Sequence, residues 1–287
     1  MRVLVTGATG FVASHLIPAL AGSHEVVALG HDAERIPELD GVDKLVVDLR
    51  SFSSGVLPQV DAIVHLAQAN VPVPDGALDL HAVNTAATVA LLDHARRCGA
   101  GRFVFASSAS VYGFGDRPWT EDDVPAALDF YSATKLAGER FVGAHSPFLG
   151  TTIVRLVAPY GPGQKNRMIP RLIESVREER PITLNVGDRP RMNPIYVGDV
   201  VRLVEAALVS DGDQIVNAAG DEAVSIRELG ERIGRVLGVS PIFEQGGGAA
   251  GDVVCSNDRM RAQFGLDDLV TLDEGLARTA TAPASVD

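Results

Sequence analysis

The sequence predicts an α/β fold in which a doubly wound parallel sheet is followed by a small C-terminal lobe. In the first half of the 287-residue chain, short runs rich in valine, isoleucine and leucine alternate with helical patterns. This alternation is typical of βαβ units, whose strands pair in parallel. After residue 156 the strand pattern weakens while helical patterns continue, which indicates a second region with many helices and few strands.

Each predicted strand is short and continuously apolar, as expected of a strand that is buried on both faces of a parallel sheet. The predicted strands are Val3–Thr6, Val26–Leu29, Leu45–Val47, Ala62–His65, Phe103–Ala106 and Thr151–Leu156. The predicted helices are Phe11–Ala21, Ala77–Arg97, Met168–Glu179, Asp199–Leu208 and Ser225–Leu237. Asp199 and Ser225 are of residue types that cap helix N-termini.

A glycine-rich turn directly follows the first predicted strand and opens the first predicted helix. Gly7 permits the tight bend, Gly10 lets the backbone approach a pyrophosphate, and Ala13 is small enough for close packing of helix on strand. The free N–H groups and the positive end of the helix dipole then face the phosphates. The pattern predicts a Rossmann-type site for NAD or NADP that comprises Gly7, Thr9, Gly10, Phe11 and Val12.

The second predicted strand ends without the carboxylate that usually binds the ribose hydroxyls of NAD. It ends in Leu29-Gly30-His31, so no carboxylate opposes a 2′-phosphate there, and both NAD and NADP stay open. His31 and Arg35 are either cofactor ligands that reach this phosphate or solvated loop residues. Asp48, followed by Leu49, ends the third predicted strand and either contacts the adenine or caps a turn.

The composition argues against several other classes of protein. A formal net charge of -12 repels nucleic-acid backbones and disfavours anionic membrane surfaces. No apolar run reaches the roughly 18 residues that span a bilayer, and the N-terminus lacks a secretory pattern. Cys98 and Cys255 are far apart and the histidines show no metal-binding spacing, so we expect neither a disulfide framework nor a metal site. We therefore expect a cytoplasmic protein without nucleic-acid or membrane partners.

The spacing of Tyr131 and Lys135 places both side chains on one face of a predicted helix. A nearby ammonium lowers the pKa of a tyrosine towards physiological pH, so that the tyrosine can exchange a proton with a hydroxyl or carbonyl while a nicotinamide exchanges the hydride. Ser107 and Ser108 follow the fifth predicted strand, at the sheet edge where ligands bind. The Ser108 hydroxyl can polarise the same oxygen.

Several motifs together resemble those of the extended short-chain dehydrogenases/reductases, the group that holds nucleotide-sugar epimerases and dehydratases. They are TGATGFVA at 6–13, HLAQ at 65–68, VNTAATVALLDHA at 83–95, RFVFASSASVYG at 102–113, YSATKLAGE at 131–139, YGPGQ at 160–164 and NPIYVGDVV at 193–201. The resemblance covers nearly the whole chain. It implies an enzyme in which Tyr131 is the general acid/base, Lys135 lowers the pKa of Tyr131 and binds the nicotinamide ribose, and Ser108 binds the reacting oxygen.

The resemblance also implies a cofactor wall and an interface. Leu66, Ala67 and Asn84 would line the cofactor, and the helices that carry Asn84 and Tyr131 would form the interface of a homodimer. Ser107, beside Ser108, is a further candidate cofactor ligand. We expect residues 1–162 and about 192–219 to form the dinucleotide-binding Rossmann domain. The substrate lobe would comprise about 163–191 and 220–279, and residues 280–287 would be a disordered tail.

Departures from the family pattern narrow the function. Ala109-Ser110 replaces the Asp-Glu pair with which the 4,6-dehydratases of the group eliminate water. Ala158 stands where the family has an asparagine that helps to hold substrate phosphate, and Met192 stands where it has an arginine. Arg191, directly beside Met192, is the candidate substrate ligand.

These observations favour a nucleotide-sugar C4 epimerase. Such an enzyme oxidises the sugar to a 4-keto intermediate, lets it rotate, and returns the hydride to the other face. The alternative is an NADPH-dependent 4-ketoreductase of a nucleotide-sugar or another small carbonyl compound, which the missing ribose carboxylate favours. A third possibility, a non-catalytic dinucleotide-binding redox sensor, would not need Tyr131 and Lys135.

Overall fold

The computed structural model describes residues 1–52, 54–248 and 251–282. Its strands are β1 (Arg2–Thr6), β2 (Glu25–Gly30), β3 (Val42–Val46), β4 (Ala62–His65), β5 (Arg102–Ser108), β6 (Gly150–Leu156), β7 (Ile182–Leu184), β8 (Arg191–Met192), β9 (Gln214–Ala218), β10 (Val224–Ser225) and β11 (Phe243–Gln245). Its α-helices are α1 (Phe11–Ala21), α2 (Ala77–His81), α3 (Ala87–Cys98), α4 (Phe130–His145), α5 (Met168–Arg177), α6 (Val197–Val209), α7 (Ile226–Leu237), α8 (Asp258–Phe264) and α9 (Leu272–Thr281).

The main sheet has seven strands in the order β3-β2-β1-β4-β5-β6-β9. The pairs β2–β3, β1–β2, β1–β4 and β4–β5 are parallel, and the predicted doubly wound α/β fold is confirmed. Between β1 and β4 the chain reverses the direction in which it adds strands, and ligands of such sheets bind outside the carboxyl ends at this switch point. The turn after β1 and the segment after β4 therefore lie at the edge where a ligand is expected.

The six predicted strands are confirmed, one of them with a shifted start, and the prediction omits one strand of the main sheet. The third begins at Val42 rather than Leu45, because β3 is an edge strand with exposed side chains and no continuous apolar run. The omitted strand is β9, in which the polar residues Gln214 and Asn217 interrupt the apolar pattern. Asn217 is nevertheless fully buried, and its backbone N–H donates to Glu121 Oε1 at 2.7 Å.

The predicted helix Ala77–Arg97 is interrupted in its middle. A π-helical turn, Ala82–Ala86, separates α2 from α3 and carries Asn84. The N-cap predicted at Asp199 is wrong, because α6 begins at Val197 and the Asp199 carboxylate accepts a hydrogen bond from the backbone N–H of Val270 at 3.0 Å. The N-cap predicted at Ser225 is confirmed, with a capping box that pairs Ser225 and Glu228.

The described residues form two compact units. The first comprises 1–113, 124–155 and 201–216, with a core that includes Leu4, Ile63 and Phe103. The second comprises 114–123, 156–200 and, among the described residues, those from 217 onwards. The assignment of domains to cofactor and substrate binding stays a prediction.

The second unit contains more strands than the sequence predicts. The strand β8 pairs with β10 antiparallel, and β7 pairs with β11 in parallel. These strands have two or three residues each, which is too short to show a period in the sequence. The helices α5, α7 and α9 contribute to the apolar core of this unit, which includes Ile173, Leu229 and Leu276.

The predicted C-terminal tail, 280–287, falls mostly on residues 283–287, which lie outside the described residues. Ala280 and Thr281 are the last turn of α9, and the Ala280 side chain is buried. Among the helices of the described ranges, none is both long and apolar enough to cross a membrane.

Candidate active site

The turn between β1 and α1 packs directly against the backbone of the segment that follows β4. Gly7 adopts the left-handed region with a φ of +72°, and a Cβ there would lie 2.7 Å from Ala67 N and 2.8 Å from Ala67 Cα. The Gly10 N–H donates to Gly7 O at 2.8 Å and closes the turn. Only glycine satisfies both the φ value and the close approach at position 7, so the residue predicted for the tight bend performs that task.

The N-terminus of α1 suits a pyrophosphate. In this fully described segment, no side chain caps the helix at Gly10 and no acidic residue lies in its first turn. The first N–H groups of α1 are therefore directed outwards with the positive end of the helix dipole, which is the arrangement that binds phosphates. The residues present thus fit the predicted dinucleotide, whose phosphates would lie at Thr9, Gly10, Phe11 and Val12.

A buried histidine connects this turn to the neighbouring strand and helix. His65 Nδ1 lies 2.7 Å from Thr6 Oγ1, and His65 Nε2 lies 2.9 Å from Thr88 Oγ1. Because Thr88 Oγ1 donates to Asn84 O, it accepts from Nε2–H. Nδ1 is then an acceptor for the Thr6 hydroxyl, which itself accepts from the Ala67 N–H at 3.2 Å. One consistent set of proton positions therefore satisfies the whole chain.

Both environment and hydrogen bonding keep His65 neutral. Its side chain is buried, and burial, together with the positive charge of Lys135, lowers the pKa of His65 to about 3. A neutral imidazole with one donor and one acceptor nitrogen is what the two threonines require. The residue predicted only to end a strand thus fixes Thr6 beside the glycine turn and Ala67 on the predicted cofactor wall.

The Asn84 side chain clamps the segment after β4 onto α4. Its Oδ1 accepts from the Ala69 N–H at 2.8 Å, and its Nδ2 donates to Ala69 O at 3.1 Å and to Thr134 Oγ1 at 3.0 Å. The Thr134 hydroxyl in turn donates to Tyr131 O at 2.7 Å. Asn84 is buried, and its amide is occupied by these contacts, so it supports the predicted cofactor wall from behind.

Tyr131 lies in the first turn of α4, which a capping box between Asp129 and Ser132 starts. This capping box fixes the residue at which the helix begins, and hence the position of Tyr131 in its first turn. The Tyr131 hydroxyl donates to Gln68 Oε1 at 2.7 Å. Gln68 follows β4 at the carboxyl edge of the sheet, and although it ends the HLAQ stretch, the sequence predicts no role for it. Its position just past a strand end is the signal that points to it.

Lys135 is one helical turn further along α4 and is buried. Gly138 lets the helix approach β5, because a Cβ there would lie 2.6 Å from Phe105 Cζ. The Lys135 ammonium lies 4.4 Å from the centroid of the Phe105 ring. Burial lowers the pKa of Lys135 to about 7, although the negative charge of Glu139 opposes this shift.

Glu139, one helical turn beyond Lys135 on α4, is the centre of a buried cluster of four polar side chains. The other members of this Glu139 cluster are Ser107, Tyr112 and Arg155. Arg155 donates to Glu139 Oε1 at 3.0 Å, to Glu139 Oε2 at 2.6 Å and to Tyr112 Oη at 2.7 Å. The Ser107 hydroxyl donates to Glu139 Oε1 at 2.5 Å. Burial alone would lower the pKa of Arg155, but the hydrogen bonds and charge of Glu139 raise it above the usual range. The predicted cofactor residue Ser107 is thus bound to this carboxylate.

Ser108 ends β5 and caps the 3₁₀ turn Ala109–Tyr112. Its Oγ accepts from the Ser110 N–H at 3.2 Å and from the Ser110 hydroxyl at 2.9 Å. With two bonds accepted, its own O–H is the group that can donate to a substrate oxygen. The structure therefore places Ser108, Tyr131 and Lys135 in the same unit, on β5 and the adjacent helix α4.

At the end of β2, the place of the ribose carboxylate is filled by other side chains. A Cβ on Gly30 would lie 2.9 Å from Thr9 Cγ2 and 3.1 Å from Ile36 Cγ1. Arg35, predicted as a cofactor ligand, donates to Thr9 O at 3.4 Å, and His31 is exposed. An acidic side chain at position 30 would have to displace the Thr9 methyl group.

Asp48 caps the short 3₁₀ turn Leu49–Ser51, which is the alternative to an adenine contact left open by the sequence. Its carboxylate accepts from the Arg50 N–H at 2.9 Å and pairs with the Arg50 guanidinium at 2.7 Å. These hydrogen bonds hold the pKa of Asp48 below its ordinary value. Leu49 is buried in the core of the first unit.

The predicted substrate residues lie in the second unit. The Arg191 guanidinium donates to Ala223 O at 2.7 Å and lies 3.3 Å from Glu228 Oε2. Met192 is its neighbour in β8, half-buried. Ala158 has a φ of +39°, a left-handed conformation that asparagine tolerates better than alanine does. The backbone at residue 158 thus has a conformation that would suit the asparagine of the family pattern, although this chain has alanine there.

The fold, with its glycine turn at the carboxyl end of β1, defines a Rossmann-type dinucleotide-binding protein. A model of the NAD-dependent epimerase/dehydratase family matches residues 3–219, and the chain belongs to this family. It is 31% identical to the UDP-glucose 4-epimerase of Mycolicibacterium smegmatis, over 97% of this chain and 97% of that protein. It is 25% identical to the dTDP-4-dehydro-6-deoxyglucose reductase of Escherichia coli, over 96% of this chain and 95% of that protein.

A solved structure shows the same architecture. MoeE5 in complex with UDP-glucuronic acid and NAD is 29% identical and matches with a TM-score of 0.88, over 98% of both chains. The chain is therefore an enzyme of the extended short-chain dehydrogenase/reductase type, with a nicotinamide dinucleotide as cofactor.

Replacement of Gly7 by alanine is expected to weaken NAD binding by roughly tenfold or more, since a misplaced turn forfeits at least about 1.4 kcal/mol of phosphate contacts. The added methyl group would have to displace the Ala67 backbone. Gly99 is the matched control, because its φ of +74° is within 2° of that of Gly7 but no atom of the described residues beyond its chain neighbours lies within 4 Å of the position of an added Cβ. Both variants carry the strain of a left-handed alanine, about 1 kcal/mol, and calorimetric titration with NAD separates the clash from that strain. Equal affinities in the two variants would place the phosphates elsewhere.

Proposed function

We propose that the chain is a nucleotide-sugar C4 epimerase. The observation that carries the proposal is the arrangement of Tyr131 and Lys135 on one face of α4, which packs on β5, the strand that ends in Ser108. The family and its UDP-glucose 4-epimerase relative support the reaction class. Ala109-Ser110, in place of a neighbouring acid pair, argues against water elimination.

In this proposal the Tyr131 hydroxyl exchanges a proton with the C4 oxygen of the sugar. Lys135 favours the deprotonated form of Tyr131 through its charge, and the Ser108 O–H donates to the same C4 oxygen. The chemistry that a bound nicotinamide cofactor would supply is the removal of a hydride from C4 and its return to the opposite face of the sugar. Rotation of the 4-keto sugar between the two transfers inverts the configuration.

The residues of the glycine turn would hold the cofactor phosphates, and the remaining predicted ligands would surround its other parts. Leu66 and Ala67 would form the cofactor wall, with Asn84 and His65 behind them. Lys135 would also bind the nicotinamide ribose, as the family resemblance implies. Arg191 remains the candidate for the substrate.

A 4-ketoreductase is the second candidate, because the place of the ribose carboxylate at Gly30 is filled by Thr9 and Ile36. Without that carboxylate, position 30 itself carries no negative charge to repel the 2′-phosphate of NADPH. Arg35 and His31 lie beside the same strand end. The reductase relative supports this alternative.

We further propose a homodimer formed through α3 and α4. Val89 on α3 and Phe141 on α4 are 41% and 37% exposed, and the two helices pack against each other. Together they present apolar groups that a second copy would cover, and light scattering of the purified protein tests this.

A cytoplasmic location fits the two cysteines. Cys98 and Cys255, both in the described ranges, are thiols, as is usual in a reducing compartment.

Incubation with nucleotide-sugars that carry deuterium at C4 separates the two functions. An epimerase interconverts the C4 epimers of UDP- or dTDP-hexoses, retains the deuterium and consumes no NADPH, because the hydride leaves and returns within one turnover. A reductase converts 4-keto sugars only while NADPH is supplied and oxidised. NAD that copurifies with the protein supports the epimerase, and C4 epimers that form only with added NADPH would contradict it.

A further inference from the structure

The hydrogen bond between Tyr131 and Gln68 suggests a role for a residue to which the family resemblance assigns none. We propose that Gln68 is a positioning residue that holds the Tyr131 hydroxyl in the substrate-free enzyme and yields its place to the reacting oxygen of the substrate. This inference rests on the proposed function, since it concerns the tyrosine that would carry the proton. Its geometry is that of a strong neutral hydrogen bond, with Oη donating to Oε1 at 2.7 Å.

Gln68 is held in place by its neighbour in the chain. Both backbone groups of Ala69 are bound by the Asn84 amide, at 2.8 Å and 3.1 Å. Asn84 also binds Thr134, which binds the Tyr131 carbonyl oxygen. The backbone beside Gln68 and the backbone of Tyr131 are thus tied to one buried side chain. The distance between Gln68 and Tyr131 is consequently set by the protein rather than by chance contact of two exposed groups.

The amide oxygen of Gln68 determines which protonation state of Tyr131 this hydrogen bond stabilises. Oε1 can only accept, so the observed bond requires the protonated tyrosine and stabilises it. A phenolate cannot donate, so deprotonation of Tyr131 would lose this hydrogen bond. The observed orientation of the amide therefore favours the protonated tyrosine, and a carboxylate in its place would favour it further through its negative charge. The substrate oxygen takes over the same hydroxyl when it arrives.

Two substitutions test the role, and both leave the fold intact because Gln68 is exposed. Gln68→Glu keeps an acceptor oxygen and places a negative charge beside the phenolate, so the pKa of Tyr131 should rise. Gln68→Ala removes the acceptor and admits water, so the pKa should fall. A hydrogen bond of about 1 kcal/mol corresponds to a shift of roughly half to one pH unit in each direction.

The measurement is the ultraviolet titration of tyrosinate in the substrate-free protein. Subtraction of the matching Tyr131→Phe double variant isolates Tyr131 from the other tyrosines. Asn70→Asp is the control for charge, because it makes the same charge change two residues away on the same segment. The other titratable and charged groups on the elements around Tyr131 are unchanged in every variant. These groups are Lys135, Glu139 and Asp129 on or beside α4, Asp79 and His81 on α2, His65 on β4, Tyr112 after β5 and Arg155 on β6.

The expected order of titration midpoints is Gln68→Glu above the parent and the parent above Gln68→Ala, with Asn70→Asp shifted less than Gln68→Glu. Identical midpoints in the Glu, Ala and parent proteins would overturn the proposal, as would an equal rise in Asn70→Asp and Gln68→Glu. Because the titration needs no substrate, it can support the role of Gln68 even if the nucleotide-sugar assay fails. Where activity is present, the acid limb of kcat/KM should move in the same order.

Discussion

Replacement of Tyr131 by phenylalanine should lower kcat by roughly 100- to 10,000-fold, the usual contribution of a general acid/base. The phenylalanine ring keeps the apolar body of the side chain, and only the hydroxyl that donates to Gln68 is lost. The capping box of Asp129 and Ser132 and the Thr134 bond to the residue 131 carbonyl do not involve the ring. NAD affinity and the free energy of unfolding should therefore stay close to parental while turnover falls.

Two further variants show whether the loss belongs to this hydroxyl. Tyr160→Phe removes a different hydroxyl, which donates to Leu272 O at a long distance of 3.4 Å, and turnover should remain within a few-fold of parental. Ser108→Ala should cost less than Tyr131→Phe, because a tyrosine hydroxyl would still face the substrate oxygen. Should Tyr131→Phe work at the parental rate, the proton would pass through another residue and the proposed mechanism would be wrong.

The parts of the fold that the sequence predicts well are those with a local signal. The sequence predicts the strand Ala62–His65 at its observed bounds, because burial of all four residues on the sheet produces a run without charged residues. It likewise predicts the helix Phe11–Ala21 at its observed bounds, because the glycine turn fixes its start. The edge strand β3 and the two-residue strand β8 lack such signals, since exposure on an edge and short length both remove the pattern.

The residues of the candidate site also fall into two groups, those with a local sequence signal and those without one. The glycine turn and the spacing of Tyr131 and Lys135 are local motifs, and the sequence alone places them. Gln68 and Arg155 act through partners 63 and 16 residues away in sequence, and no local pattern encodes those contacts. His65 shows the same limit, because its two threonine partners lie 59 and 23 residues away and its role arises only when β1, β4 and α3 pack together.

Replacement of Lys135 by methionine should lower both turnover and NAD affinity and move the pH optimum upwards. Methionine fills much of the same buried volume but removes the ammonium that favours the phenolate, so Tyr131 would deprotonate at a higher pH. The loss in kcat should be of the order of 100-fold or more, as for other groups that sustain general acid–base catalysis. Lys44→Met, on the exposed edge strand β3, is the control for loss of a positive charge at a distance.

The same substitution should stabilise the fold, and the pH dependence of that gain identifies the cause. Burial lowers the pKa of Lys135 to about 7 in the folded protein, against an ordinary value of 10.5. The unfolded chain therefore binds one more proton between these values, and the stability of the parent rises with pH across this window relative to the variant. Lys135→Met should be more stable than the parent at and below pH 7, and the difference should shrink as the pH approaches 10.5. Urea unfolding of both proteins across this range measures it. A variant that loses activity and stability together at every pH would show that Lys135 supports the packing of α4 rather than the chemistry of Tyr131.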